Sequence, residues 1–196
     1  MKKKRIFDLT LLFLISPLAL SILLILTFLN LCINGRPIFF KQKRIGYLNK
    51  TFTLYKFRSM PKNTDHNYSI KSLSRWNKFL RNSSLDEIPE LYNIFKGEMS
   101  FVGPRPLLTE YLKLYNKRNI RRHEALPGIT GLAQINGRNT LTWKEKFFFD
   151  LEYIEKMSIY LDLKIIIITI MKIFNFKYIN SSKEVSMEKF NQNSEQ

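Results

Sequence analysis

Residues 9–29 form an apolar run without a single charge, and at about 1.5 Å per helical residue the run matches a hydrocarbon core of roughly 30 Å. Ser16-Pro17 falls in its middle. A proline there removes one backbone hydrogen bond, and the Ser16 hydroxyl is placed to satisfy a group freed at the bend. Aromatic β-like runs follow at 38–40 and 52–57, separated by the Gly46 and Asn49 turn region, which predicts a small hairpin after a turn at Asn34-Gly35-Arg36-Pro37. Residues 61–68 read as a polar loop. Trp76, Phe79 and Leu80 share one helical face that carries Arg75 and Arg81 nearby.

Ser84-x-x-Glu87 reads as a capping box opening a helix whose apolar positions Leu85, Ile88, Leu91, Tyr92 and Phe95 repeat until Gly97. Gly103-Pro104-Arg105-Pro106 is a stiff loop. Residues 107–125 have the spacing of a basic amphipathic helix, and 132–135 read as a brief strand between glycine turns. Thr142-x-x-Glu145 is a second capping box, starting a helix expected to run through Asp162. The apolar stretch 163–176 carries Lys164 and Lys172, which fits an interfacial helix with snorkelling lysines and fits a buried core helix almost as well. Three parts result: a membrane segment over 1–34, one globular domain over 35–179, and a polar tail over 180–196 that composition predicts to be disordered.

The charges complicate the membrane segment. Lys2, Lys3, Lys4 and Arg5 precede it, and Arg36, Lys41, Lys43 and Arg44 follow it, so the preference of Lys and Arg for the cytoplasmic side acts at both ends. Either one basic flank is exported or the segment turns back; hydropathy alone fits a kinked spanning helix. No small-x-small site follows, as a cleaved signal peptide requires. The formal net charge of +16 calls for an anionic partner. Beside a membrane segment this points to anionic lipid headgroups, at about 1 kcal/mol per basic residue near the surface. No nucleic-acid-binding signature accompanies the charge, so nucleic acid is not an expected partner. Cys32 stands alone, which fits a reducing compartment, and with His66 and His123 it supplies too few soft ligands for structural zinc.

Asp86-Glu87 is the most suggestive acidic pair. Carboxylates in a first helical turn cap free amides and offset the macrodipole, which is their ordinary structural use. A helix start also binds phosphate, however, and Arg81 lies just upstream, so an anionic substrate has a place beside them. A carboxylate then serves as nucleophile in phosphoryl transfer, provided a metal or arginines offset the phosphate charge. Arg105 and Arg138 each sit in a proline- or glycine-bounded turn suited to bidentate phosphate contact, although surface arginines are also common there. Asp162, read as a helix C-terminal acid, is disfavoured by the dipole and therefore calls for a specific partner.

Taken in order, Lys4-Arg5-x-x-Asp8, Ser16-Pro17, Pro37-Ile38-Phe39-Phe40, Gln42-x-Arg44-x-Gly46, Lys56-Phe57-Arg58-Ser59-Met60, Leu85-Asp86-Glu87-Ile88-Pro89, Gly103-Pro104-Arg105-Pro106, Pro127-Gly128-Ile129-Thr130-Gly131, Asn136-Gly137-Arg138 and the Asp150-x-x-Tyr153 to Ser158 to Asp162 series resemble the bacterial sugar transferases that are monotopic phosphoglycosyl transferases. The resemblance covers about residues 4 to 165. It implies an α/β monotopic membrane protein whose N-terminal re-entrant segment breaks at Ser16-Pro17 and returns to the cytoplasmic face of the bacterial inner membrane. The domain it implies is small and mostly helical, with a short β-hairpin, resting on interfacial amphipathic helices.

The activity implied is transfer of a phosphosugar from a UDP-sugar to undecaprenyl phosphate, with Mg²⁺ and a covalent aspartyl intermediate, releasing UMP. On that reading Asp86 is the nucleophile and a metal ligand, and Glu87 its metal-binding or proton-handling neighbour. Arg81, Arg105 and Arg138 hold phosphates, and Asp162 assists the polyprenyl phosphate or the metal. Glu90 stands where many members have Gln, and 63–74 is irregular beside the family pattern. A single-pass protein with a basic lipid- or nucleic-acid-binding domain and no catalysis is the alternative, and whether the chain forms a homodimer is left open.

Overall fold

The computed structural model describes residues 2–60, 73–173 and 190–191, apart from the side chain of Arg138. The expected loop over 61–68 and nearly all of the tail lie outside the described residues. The apolar run forms one long helix, α1 (Lys2–Asn34), which continues through Pro17. Pro17 has no N–H for the carbonyl of Phe13, and the Ser16 hydroxyl donates to that carbonyl at 2.8 Å. This is the compensation expected from Ser16-Pro17, but the helix-break-helix expected there is not present: the segment stays helical on both sides of Pro17 and through it. Only 6% of the most apolar stretch of α1 is buried, whereas a core helix of a soluble protein is mostly covered.

Both ends of α1 are fastened to the same domain. Near the start, Lys4 pairs with Asp162 at 2.5 Å, and Asp8 accepts from the Ser100 hydroxyl at 2.9 Å and the Phe101 amide at 3.2 Å. Arg5 donates to the carbonyls of Ile94 and Phe95, capping the end of a short helix. Near the finish, buried Asn30 donates to the carbonyls of Ile38 and Arg58, and its own carbonyl oxygen accepts from the Trp76 indole. Between these anchors Phe13, Leu14, Leu18 and Leu24 remain exposed.

The hairpin is present as β1 (Phe39–Ile45) and β2 (Thr51–Phe57), antiparallel from Phe39 opposite Phe57 to Ile45 opposite Thr51. Phe52 and Leu54 pack with Ile94 and Met99, and Phe57 packs with Leu26 and Leu80. The short helix carrying Trp76 is α2 (Arg75–Ser83). The helix expected from Ser84 is instead a 3-10 turn (Leu85–Glu90) followed by α3 (Leu91–Lys96), which Gly97 ends in the left-handed conformation. Ser84 makes no side-chain cap there. It is itself left-handed at φ 59°, a conformation that costs a non-glycine residue about 1–2 kcal/mol.

A second sheet, absent from the expectation, pairs β3 (Ser100–Val102) in parallel with β4 (Gly128–Thr130). Here two backbones touch: a Cβ on Gly128 would lie 2.1 Å from the Gly103 nitrogen. The crossover contains two 3-10 turns (Thr109–Lys113 and Asn119–Glu124), not the single helix read over 107–125. Residues read as a strand at 132–135 form α4 (Leu132–Asn136).

The second capping box opens α5 (Trp143–Lys156), with both reciprocal bonds of Thr142 and Glu145 made. The chain then breaks at Met157-Ser158 and starts α6 (Ile159–Ile173), whose first turn is held by the Ser158 hydroxyl accepting from the Leu161 amide at 3.2 Å. Ile165 is buried in the core with Val102 and Tyr153, while Tyr160, Leu163, Ile167, Ile170 and Met171 face outward. Thus α6 combines a packed side with an open apolar side. Among the described residues the domain is mostly helical with two two-stranded sheets, beside one apolar helix long enough to cross a membrane.

Candidate active site

Alternation along β2 puts Phe52, Leu54 and Lys56 in one row, so a lysine shares the face that packs inward. Its ammonium meets the 3-10 turn after Ser84: Lys56 Nζ lies 2.6 Å from Glu87 Oε1 and 3.1 Å from Glu90 Oε1. Arg105, from the Pro-Arg-Pro loop after β3, reaches the same Glu87 oxygen at 2.9 Å. Asp86, itself buried, lies within range of the Arg105 charge. One carboxylate oxygen is therefore gripped by two cations beside a second carboxylate, while the Arg105 side chain keeps about half its surface (49%) open to an incoming anion.

Burial pushes the Glu87 carboxyl up, but Lys56 and Arg105 outweigh it and hold the group well below the usual carboxylate range. Glu90 goes the other way. Burial, against Lys56 and together with Glu87, pushes its carboxyl up to about 7. Burial, and then the Arg105 charge, bring Arg44 down to about 10 and Lys146 down to about 8, while Arg105 itself goes up, held in its charged form by Glu87. Cations that disfavour one another's charge are relieved by a bound anion.

The Glu90 shift has a measurable consequence. Its unfolded carboxyl ionises near 4.5 and its folded one near 7, so the fold favours the protonated form. Stability from this group is complete below the unfolded value and is lost as pH rises through about 7. Glu87 contributes oppositely, above its unfolded value, and that contribution is lost on acidification. Glu90→Gln is expected to match the parent in thermal midpoint near pH 4.5 and to exceed it at pH 8; equal midpoints at pH 8 would contradict this assignment.

Of the residues named from the sequence, Asp86, Glu87 and Arg105 come together. Arg81 sits in the last turn of α2, where its carbonyl accepts from the Ser84 amide at 3.2 Å, five positions ahead of Asp86. Arg138 opens a 3-10 turn (Arg138–Thr140), and its side chain lies outside the described residues. Asp162 corrects its helix reading. It lies in the first turn of α6, not at a helix C-terminus, so the dipole favours it. It is 1% exposed, and its two oxygens are engaged by Lys4 and by the Tyr153 hydroxyl at 2.7 Å. Lys56 and Glu90 were not singled out as site residues. Their signals were a lysine on an inward strand row and an acid four positions after Asp86.

The metal expectation fits a particular kind of site. Among the described residues no group of three or more His, Cys, Asp or Glu is arranged to enclose a metal. Mg²⁺, however, is commonly held by one or two carboxylates with substrate phosphates and water completing its shell. Adjacent Asp86 and Glu87 supply that number.

The bacterial sugar transferase profile matches residues 1–176. This chain belongs to the bacterial sugar transferase family. The transferase is 44% identical over 192 residues to the "Uncharacterized sugar transferase EpsL" of Bacillus subtilis (strain 168), covering 95% of each chain. It is 40% identical over 157 residues to a UDP-glucose:undecaprenyl-phosphate glucose-1-phosphate transferase of Xanthomonas campestris pv. campestris, covering 72% of this chain and 32% of that one. It is also 40% identical over 195 residues to an undecaprenyl-phosphate glucose phosphotransferase of Komagataeibacter xylinus, covering 88% of this chain and 36% of the relative. The sugar transferase therefore spans nearly all of the Bacillus relative and about a third of the two larger ones.

Proposed function

We propose that this sugar transferase moves a phosphosugar from a UDP-sugar to undecaprenyl phosphate, with Asp86 as nucleophile. The observation that carries the reading is the shared grip of Lys56 and Arg105 on Glu87 beside Asp86, because it sets cations for a phosphate against a buried carboxylate. The names of the two larger relatives supply the substrate class.

A carboxylate oxygen of Asp86 attacks the phosphorus that bears the sugar. The bond from that phosphorus to the bridging oxygen breaks, and UMP leaves with the electron pair. A phosphate oxygen of undecaprenyl phosphate then attacks the aspartyl phosphorus, releasing the Asp86 carboxylate and undecaprenyl-diphosphate-sugar. Arg105 orients the phosphates and offsets their charge, with Arg81 and Arg138 as further phosphate contacts. Lys56 keeps Glu87 ionised and in place. Asp86 and Glu87 would hold Mg²⁺ together with the substrate phosphates, and the ion would supply Lewis-acid stabilisation of the developing charge.

Purified full-length protein supplied with undecaprenyl phosphate, Mg²⁺ and a panel of UDP-sugars is expected to release UMP and form a polyprenyl-diphosphate-sugar with at least one donor. Lipid or nucleic-acid binding without UMP release from any donor would support the non-catalytic alternative.

The attachment of both ends of α1 to one domain supports a re-entrant segment on the cytoplasmic face of the inner membrane, with the open side of α6 lying in the interface. Cys32, exposed at the far end of α1, and a cysteine substituted for Lys2 are both expected to resist a membrane-impermeant thiol reagent in intact cells and to react after permeabilisation. Labelling of either one from outside would refute the hairpin.

A further inference from the structure

The loop that presents Arg105 lacks the usual means of holding itself. Pro104 and Pro106 have no N–H, so the loop is secured through its carbonyls. Four successive carbonyls each accept a hydrogen bond from a different donor. Pro104 accepts from the Gly128 amide at 3.1 Å, Arg105 from Arg122 Nη2 at 2.8 Å, Pro106 from Arg44 Nη1 at 3.3 Å, and Leu107 from the Ile45 amide at 3.1 Å. The bond to the Arg105 carbonyl is the one made by a fully enclosed side chain: Arg122 is 2% exposed.

Arg122 is in turn oriented from α5. Its Nε and Nη2 both donate to Asp150 Oδ2, at 2.9 and 2.7 Å, and its guanidinium lies over the Phe147 ring. Nη2 thus serves Asp150 and the Arg105 backbone together, a geometry a planar fork provides and a single ammonium does not reproduce. A buried ion pair is by itself weak support for stability, and an apolar pair of similar volume often replaces it without loss. Here the pair has a second connection, because the same Nη2 also donates to the Arg105 carbonyl.

We infer that Arg122, aimed by Asp150, is a positioning residue that fixes the Arg105 backbone so that the Arg105 guanidinium stands over Glu87 and the substrate phosphates. The inference rests on the role proposed above for Arg105. Arg122 touches neither substrate nor Asp86 and acts only through the loop.

The test is a double-mutant cycle in full-length protein. Arg122→Lys is expected to lower kcat/KM for UMP release by about 10²-fold, the order that a 1 Å misplacement costs. In an Arg105→Ala background the same change is expected to matter within about 2-fold, because the group it positions is gone. Arg122→Met with Asp150→Leu keeps a packed interior and is expected to repeat both results if Arg122→Lys folds poorly. A second readout needs no turnover: the Arg105 guanidinium NMR signals, assigned by their absence from Arg105→Ala, should exchange with water more slowly in the parent, where Glu87 holds the group, than in either variant.

Equal losses in the two backgrounds, or slow exchange retained in both variants, would overturn the inference. If Arg105→Ala turned over at the parent rate, or the parent did not turn over, the site reading would fail instead, and the exchange measurement would still decide whether Arg122 holds Arg105.

Discussion

Asp86→Asn is expected to abolish phosphosugar transfer while the folded protein persists. The amide has the shape of the carboxylate, so a site with only 9% of the residue exposed should repack around it with little change. It lacks the anionic oxygen required to form the aspartyl phosphate. Removing an enzyme nucleophile costs about 10⁴-fold or more in turnover, and on the proposed mechanism neither half-reaction has another route. UMP release measured with and without undecaprenyl phosphate checks this, alongside thermal unfolding to show that the variant is folded. Retained turnover would mean that the sugar-bearing phosphorus passes directly from donor to acceptor and that Asp86 serves some other purpose.

The second large effect falls on stability. Lys4→Met should cost about 3–5 kcal/mol, the usual consequence of leaving one partner of a buried ion pair without its counter-charge. Asp162 is enclosed, with Lys4 on one oxygen and Tyr153 on the other, and the Tyr153 hydroxyl also lies 3.1 Å from the Val102 carbonyl. The pair ties the start of α1 to α5, α6 and β3 together. Adding Asp162→Asn to Lys4→Met should recover much of the loss, because a neutral amide in that pocket no longer needs a cation. Denaturant unfolding of the solubilised protein compares the parent and both variants. A loss below about 1 kcal/mol would place the pair with solvent-screened surface bridges instead.

Local chemistry explains which elements were legible in the sequence. The hairpin announces itself through aromatic runs on either side of Gly46, and Thr142 and Glu145 satisfy each other wherever the helix goes. Ser16 is legible because the carbonyl that Pro17 leaves unpaired is within reach of its hydroxyl. The helix expected over 107–125 fails at Asn116, whose side-chain oxygen accepts from the amides of Arg118 and Asn119 at 2.9 and 2.7 Å. That local bonding competes with the helical pattern and divides the segment into two tight turns.

The exchange of strand and helix between 128 and 136 has a longer-range cause. β4 exists because its backbone pairs with β3, from which it is separated by the whole crossover, and Gly128 permits the close approach. Nothing in five residues of local pattern reveals that partner. The break before α6 was readable in principle, since Ser158 is a good cap, but the apolar spacing on both sides masks it.

The site divides along the same line. Asp86, Glu87 and Arg105 stand in distinctive local contexts, and the structure brings them together. Lys56 and Arg122 are two of 32 basic residues and Glu90 reads only as a departure from the family pattern; each takes its place at the site through partners distant along the chain.

On the proposed mechanism Asp86 carries the phosphosugar between donor and acceptor. Intact-protein mass spectrometry after incubation with a competent UDP-sugar and Mg²⁺, without undecaprenyl phosphate, detects that adduct. The predicted result is a mass increase of one phosphosugar located on Asp86, matched by stoichiometric UMP and discharged when undecaprenyl phosphate is added. An unmodified protein that releases UMP only once the lipid acceptor is present would contradict it.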